Sequence, residues 1–124
     1  MEAVARGFVS VPGRAGLSLG IVPGPRCPPG YPNAYVEIPI RTHLGQRGKA
    51  GGALDSRNHI NVLSADVAVA LPGGEGTLTE IALAERYETP MVIWRREGEA
   101  GEVRADQRTV TRLADVQSFV STQL

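Results

Sequence analysis

Chemistry in this chain could sit at a glycine turn and at two polar side chains near it. Pro72–Gly76 holds three glycines in five residues, and Thr77 follows directly. Such a turn exposes backbone N–H groups, and a helix beginning at Thr77 would add its own unpaired first-turn donors. Strand Val67–Leu71, glycine turn, then helix is how an open α/β sheet builds an anion site at a strand's carboxyl end. Gly73, Gly74, Gly76 and Thr77 are therefore the phosphate-cradle candidates. No Lys occupies the Gly-Lys-Ser/Thr position, so this is not a P-loop, nor is it the six-residue dinucleotide fingerprint. Phosphate would be held by N–H groups and Thr77.

Glu80 stands three residues after Thr77 and has two readings. In a capping box it bonds back to the helix start. As a carboxylate beside an anion site it could orient a ribose hydroxyl or stabilise developing positive charge. Arg57 likewise reads either as part of a solvated helix face or as a cation leaning toward the pocket. The glycine pair Gly51–Gly52 upstream would let the preceding loop move over a ligand. His43 and His59 are too few for a metal cluster, and no Cys-x-x-Cys or His-Glu-x-x-His pairing exists, so no metal site is expected. Cys27, between prolines, reads as inert.

The elements that would position these residues follow from periodicity. Met1–Ser10 has helical spacing at Met1, Val4, Ala5 and Phe8. Leu17–Val22 and Tyr35–Ile40 read as strands, the second at an edge because of Pro39. Pro23–Asn33 is broken by prolines and glycines. Arg41–Gly52, polar and glycine-rich, reads as a mobile loop. Ala53–Ser64 is helical, with Asp55 or Ser56 as its cap. Val67–Leu71 reads as the central strand, Thr77–Tyr87 as a helix and Met91–Trp94 as a buried strand. After the charged loop Arg95–Gln107 come a strand at Arg108–Leu113 and a helix at Val116–Gln123 capped by Asp115. Strands alternating with helices give a parallel α/β sheet in one domain, 1–124.

Thirteen basic and thirteen acidic side chains balance to a formal net charge of 0, which offers no general attraction to nucleic acid or to an anionic membrane. Aromatic residues are 5% of the chain, too few for base-stacking platforms. A single cysteine and the lack of any long apolar run point to a cytoplasmic protein.

The stretch SRNHINVLSADVAVALPGGEGTLTE resembles the signature of the LOG-like superfamily, Rossmann-like proteins once mislabelled lysine decarboxylases. These include the cytokinin riboside 5′-monophosphate phosphoribohydrolases. Their Pro-Gly-Gly-x-Gly-Thr-x-x-Glu motif is complete at Pro72–Glu80. The resemblance implies Arg57 and Glu80, 23 positions apart, as the catalytic pair. It implies Gly73, Gly74, Gly76, Thr77 and Asn58 as ligand-binding residues, with no cofactor. Two departures stand beside it. In the helix motif Arg57-Asn58 and Asn61 stand where the hydrolases usually have Arg-Lys and a downstream Met; the Arg-Asn version is similar to a poorly characterised bacterial branch and to relatives that carry molybdenum cofactor.

The family pattern also begins with a strand, a helix and a glycine-rich loop ahead of a segment like MEAVARGF, whereas the likeness here starts at Met1. The expected fold is thus a Rossmann-like three-layer parallel sheet, N-terminally truncated, with sheet edges inviting a homo-oligomer. The implied activity is cleavage of the N-glycosidic bond of a purine-type nucleoside 5′-monophosphate such as AMP. The alternatives are a non-catalytic carrier of a nucleotide or pterin cofactor and a structural remnant that binds nothing.

Overall fold

A computed structural model describes residues 2–24, 29–99 and 106–124 of the chain. These residues form helices α1 (Glu2–Val9), α2 (Asn58–Leu63), α3 (Glu75–Arg86) and α4 (Leu113–Gln123). The strands are β1 (Leu19–Val22), β2 (Ile38–Arg41), β3 (Ala68–Ala70), β4 (Met91–Trp94) and β5 (Thr109–Val110), and Gly48–Gly52 is a 3-10 turn. β1 pairs with β2, and β3, β4 and β5 pair in that order, all in parallel. The result is a small α/β domain with two parallel sheets flanked by helices, as a Rossmannoid fold has. The Cys27 expectation falls on residues 25–28, and the end of the Arg95–Gln107 loop on residues 100–105, both outside the described residues.

The second sheet is centred on β4, not on the strand before the glycine turn. β4 is paired along both edges, to Ala68–Ala70 on one side and Thr109–Val110 on the other. Successive β4 side chains point to opposite faces, as strand geometry requires. Met91 packs on Val62, Leu83 and Ala84 of α2 and α3, whereas Val92 and Trp94 pack on Val116 and Phe119 of α4. Both helical layers therefore hang on β4, and Val92 is fully buried. The expected central strand shrinks to β3 at the sheet's edge, with Val69 41% exposed. Its other edge meets no strand among the described residues, so burial on both sides is lost.

Strands β1 and β2 are shorter than their apolar runs. Asn33 Oδ1 accepts the Tyr35 N–H in a local turn. Glu37 then takes the Ser18 N–H on its carboxylate (2.8 Å) and reaches Arg14 at 2.7 Å, so pairing starts beyond Ser18 and Glu37. Pro39 pairs opposite Gly20 in this two-stranded sheet, where a missing N–H is tolerated.

Three further expectations are corrected. Arg41–Gly52 is tied down rather than a free loop: Gly24 N–H donates to Leu44 O, Gln46 bridges Ser56, and the 3-10 turn packs on α3. The helix expected from Ala53 starts only at Asn58, because Ala53–Ser56 is spent in turns closed by the Ala53 and Ser56 N–H groups. Asp115 lies inside the first turn of α4, where Arg112 holds both its oxygens at 2.7 and 2.9 Å, so it is not the cap.

Candidate functional site

The glycine turn delivers the chain from β3 into α3, and each glycine has its own reason. Gly74 is extended and acts as N-cap, its carbonyl accepting the Thr77 N–H (2.9 Å) and the Leu78 N–H (3.2 Å). The helix thus opens at Glu75, two residues earlier than the sequence pattern suggests. Gly73 lies against the Thr77 side chain; a Cβ there would collide with Thr77 Oγ1 and Cβ. Glu75 and Gly76 are left as first-turn residues whose N–H groups have no intrahelical partner. Gly73 and Gly74 are exposed and Thr77 is half-buried, so the turn faces solvent.

The earlier helix start overturns the capping-box reading of Glu80. Glu80 sits in the second turn of α3, too far along to reach the helix's unpaired N–H groups. Its Oε1 instead accepts a hydrogen bond from Asn61 Nδ2 at 2.9 Å. Arg57 Nη1 stands 4.0 Å from the same oxygen, inside ion-pair range but outside hydrogen-bond range. The Arg57 side chain is 17% exposed and that of Glu80 31%. Arg57 Nε is buried and has no partner. A buried guanidinium N–H with no acceptor is uncommon and costly.

Arg57 precedes the first turn of α2, and what fixes it is a seam between α2 and α3. Asn58 Nδ2 donates to Thr79 Oγ1 (3.2 Å), Asn61 donates to Glu80, and Val62 packs on Leu83 and Ala84. The spacing of 58, 61 and 62 on one helix and 79, 80 and 83 on the other is the i, i+3, i+4 rule applied twice. Ser56, fully buried, starts α2 by accepting the Asn58 N–H on Oγ while donating to Gln46 O.

The 3-10 turn closes one end of this seam. Gly51 is buried where a Cβ would come within 2.6 Å of both Asn58 Nδ2 and Thr79 Oγ1. It is a close-approach glycine, not a hinge. Nearby, Lys49 Nζ lies 3.7 Å from Glu75 Oε1 at the mouth of α3. His59 is buried and held on both ring nitrogens. Its Nε2 faces the carbonyls of Ala53 (2.9 Å) and Gly52 (3.2 Å) and must carry a proton, and Nδ1 meets Tyr87 Oη at 2.6 Å.

Of the residues singled out in the sequence, Arg57 and Glu80 are brought together, and the turn Gly73–Thr77 opens the helix that carries Glu80. Asn58 is buried at 3% exposure and spends its amide on Thr79. Asn61 is the neighbour that sequence reasoning passed over. It stood there only as a departure from a motif, although its place four residues after Arg57 sets both on one helix face. No group of three or more His, Cys, Asp or Glu residues that could hold a metal occurs among the described residues. None of their helices is long and apolar enough to cross a membrane.

Comparison with known proteins places the chain in a family. Residues 1–120 fit the profile of the SLOG cluster4 family. No curated protein and no solved structure matches the chain. With nearly its whole length matched, the chain belongs to the SLOG cluster4 family, within the LOG-like superfamily of Rossmannoid nucleotide-binding proteins that includes phosphoribohydrolases.

Proposed function

We propose that this protein binds a purine-type nucleoside 5′-monophosphate such as AMP and hydrolyses its N-glycosidic bond. The observation that carries the reading is the pair formed by Arg57, with its unpartnered Nε, and Glu80, 4.0 Å away on the helix that the glycine turn opens. The phosphate would sit on the turn, taking the Glu75 and Gly76 N–H groups, with Gly73 and Gly74 allowing close approach and Thr77 adding its hydroxyl. Arg57, whose side chain is 17% exposed, would meet the ligand through the accessible part of its guanidinium. Glu80 would accept the ribose hydroxyls and stabilise positive charge as it builds at C1′. The bond from C1′ to the base nitrogen breaks with its electron pair going to the base. Water supplies the new C1′–O bond and, overall, the proton that the base gains. Asn58 contributes through Thr79, by holding the seam.

The same reading includes a three-layer Rossmann-like sheet in which a further parallel strand joins the two sheets, and a cytoplasmic homo-oligomer. Among the described residues the outer edge of β3 meets no strand, which with the exposed apolar residues of α1 and β1 supports the added strand and the oligomer. The test is release of free base and ribose 5-phosphate from AMP and base-modified monophosphates. Turnover abolished by Glu80→Gln and Arg57→Ala is the expected result, and no release from any of them sinks the hydrolase. One observation favours a second reading, a non-catalytic carrier of a nucleotide or pterin: the position after Arg57 offers no cation, only the buried Asn58 amide. Calorimetric binding of AMP or a pterin without turnover would select it.

A further inference from the structure

We infer that Asn61 is the positioning residue for Glu80, an inference that rests on the reading of Glu80 as the carboxylate that meets the ribose. The geometry separates two jobs usually shared by an arginine–glutamate pair. Glu80 Oε1 is held by the neutral Asn61 amide at 2.9 Å, and Arg57 Nη1 stops at 4.0 Å from it. A direct arginine–carboxylate bond would be bidentate at about 2.8 Å and would hold the guanidinium on the protein's own carboxylate. Here the amide fixes the carboxylate without neutralising it. The second oxygen, Oε2, is left for the ligand, and Arg57 keeps an unpaired Nε.

Asn61 can do this because its own place is fixed on both sides. Val62, next in sequence, is buried against Leu83 and Ala84, and the Asn61 N–H donates to Arg57 O at 3.0 Å. One turn earlier, Asn58 is pinned to Thr79. The carboxamide therefore has one direction in which to donate. Replacing it by an apolar group of similar size lets Glu80 swing onto Arg57, the nearest cation, and the pair quenches itself.

The experiment compares wild type, Asn61→Leu and Asn61→Gln for AMP hydrolysis, and repeats Asn61→Leu in a Glu80→Ala background for AMP binding. Asn61→Leu should lower kcat about 10- to 100-fold with KM changed less than about threefold, as expected for losing a hydrogen bond to a charged group. Asn61→Gln should restore part of that loss. In the Glu80→Ala background, Asn61→Leu should change binding less than about twofold, because its effect runs through Glu80. The readout independent of turnover is the NMR signal of the Asn61 side-chain NH2, which should move in Glu80→Ala. An unmoved signal overturns the inference whether or not the protein is a hydrolase. So does an Asn61→Leu enzyme with wild-type kcat. Wild type that neither turns over nor binds AMP fails the functional reading instead, and the NMR arm still decides the role of Asn61.

Discussion

Gly51→Ala is the most telling single change in the fold, because two neighbouring glycines in one turn make opposite demands. At Gly51 a Cβ would lie 2.6 Å from both Asn58 Nδ2 and Thr79 Oγ1. Ordinary contacts start near 3.4 Å, so the turn or the Asn58–Thr79 hydrogen bond must give by roughly 0.8 Å. Overpacking of that kind costs about 1–3 kcal/mol, and loss of a buried side-chain hydrogen bond about 1 kcal/mol. Taking about 2–3 kcal/mol, and an unfolding entropy of about 0.26 kcal/mol/K for a chain of this length, Tm should fall by about 8–12 °C. Gly52 is exposed and a Cβ there meets nothing within 4 Å. Gly52→Ala should be neutral or stabilise by up to about 1 kcal/mol through the unfolded chain. Both variants can be followed by urea unfolding and thermal melts. A Gly51→Ala protein within about 0.5 kcal/mol of wild type, or two variants that lose stability equally, would refute close approach at Gly51. Either outcome would mean that the pair acts as a hinge and that the seam does not depend on close approach.

Four other outcomes follow from the same geometry. Gly73→Ala should weaken AMP binding at least about tenfold by calorimetry, since its Cβ displaces Thr77; combining it with Thr77→Ser should not rescue, because Oγ and Cβ both remain in the way. Tyr87→Phe leaves the buried His59 Nδ1 without its partner and should cost about 1–3 kcal/mol in chemical denaturation. The Glu37 carboxyl is held below the usual carboxylate range by the Ser18 N–H and then by Arg14; its stabilisation is full above that range and lost as pH falls through the lowered value, so unfolding at pH 3 against pH 7 should differ less for Glu37→Gln than for wild type. Finally, Val4, Phe8, Leu17 and Leu19 are 38–59% exposed; light scattering should show association at micromolar concentration, reduced by Phe8→Ser and Leu19→Ser, whereas a monodisperse monomer would show that the exposed faces are tolerated.

Local elements were legible in the sequence and the sheet order was not, for physical reasons visible residue by residue. Periodicity placed α3 and β4, because Ile81, Leu83 and Ala84 and the run Met91–Trp94 report burial directly. It made β3 central because Val67–Leu71 is as apolar as β4, and composition cannot say which of two apolar strands has neighbours on both sides. The helix start at Glu75 was hidden because the Thr77–Glu80 spacing fits a capping box equally well; only the extended Gly74 distinguishes them. Gly51 was read as mobile because a glycine that yields to a neighbour and a glycine that bends look alike in sequence. The Arg57–Glu80 pairing came through the resemblance, whereas the Asn61 bond depends on two helices meeting and has no linear signature.

The burial pattern explains why the site can be well fixed in a chain with so much exposed apolar surface. Among the described residues, the buried apolar side chains of the N-terminal part are Ile21 and Val22, and the others lie from Val62 onward. Val4, Phe8, Leu17 and Leu19, by contrast, are 38–59% exposed, and some of them line an apolar groove of about 270 Å³ between α1 and β1. Ion pairing of Arg14 with Glu37 and stacking of Arg14 on Phe8 at 4.9 Å hold that region, and such exposed contacts are weak. Arg57, Asn61, Glu80 and the glycine turn sit on the other part, where α2, α3 and β4 share a core. Opening of α1 and β1 should therefore leave the Asn61–Glu80 geometry in place. In hydrogen exchange, amides of α3 should outlast those of β1 by at least about tenfold; equal protection of the two would show that the site and the N-terminal strands unfold as one unit.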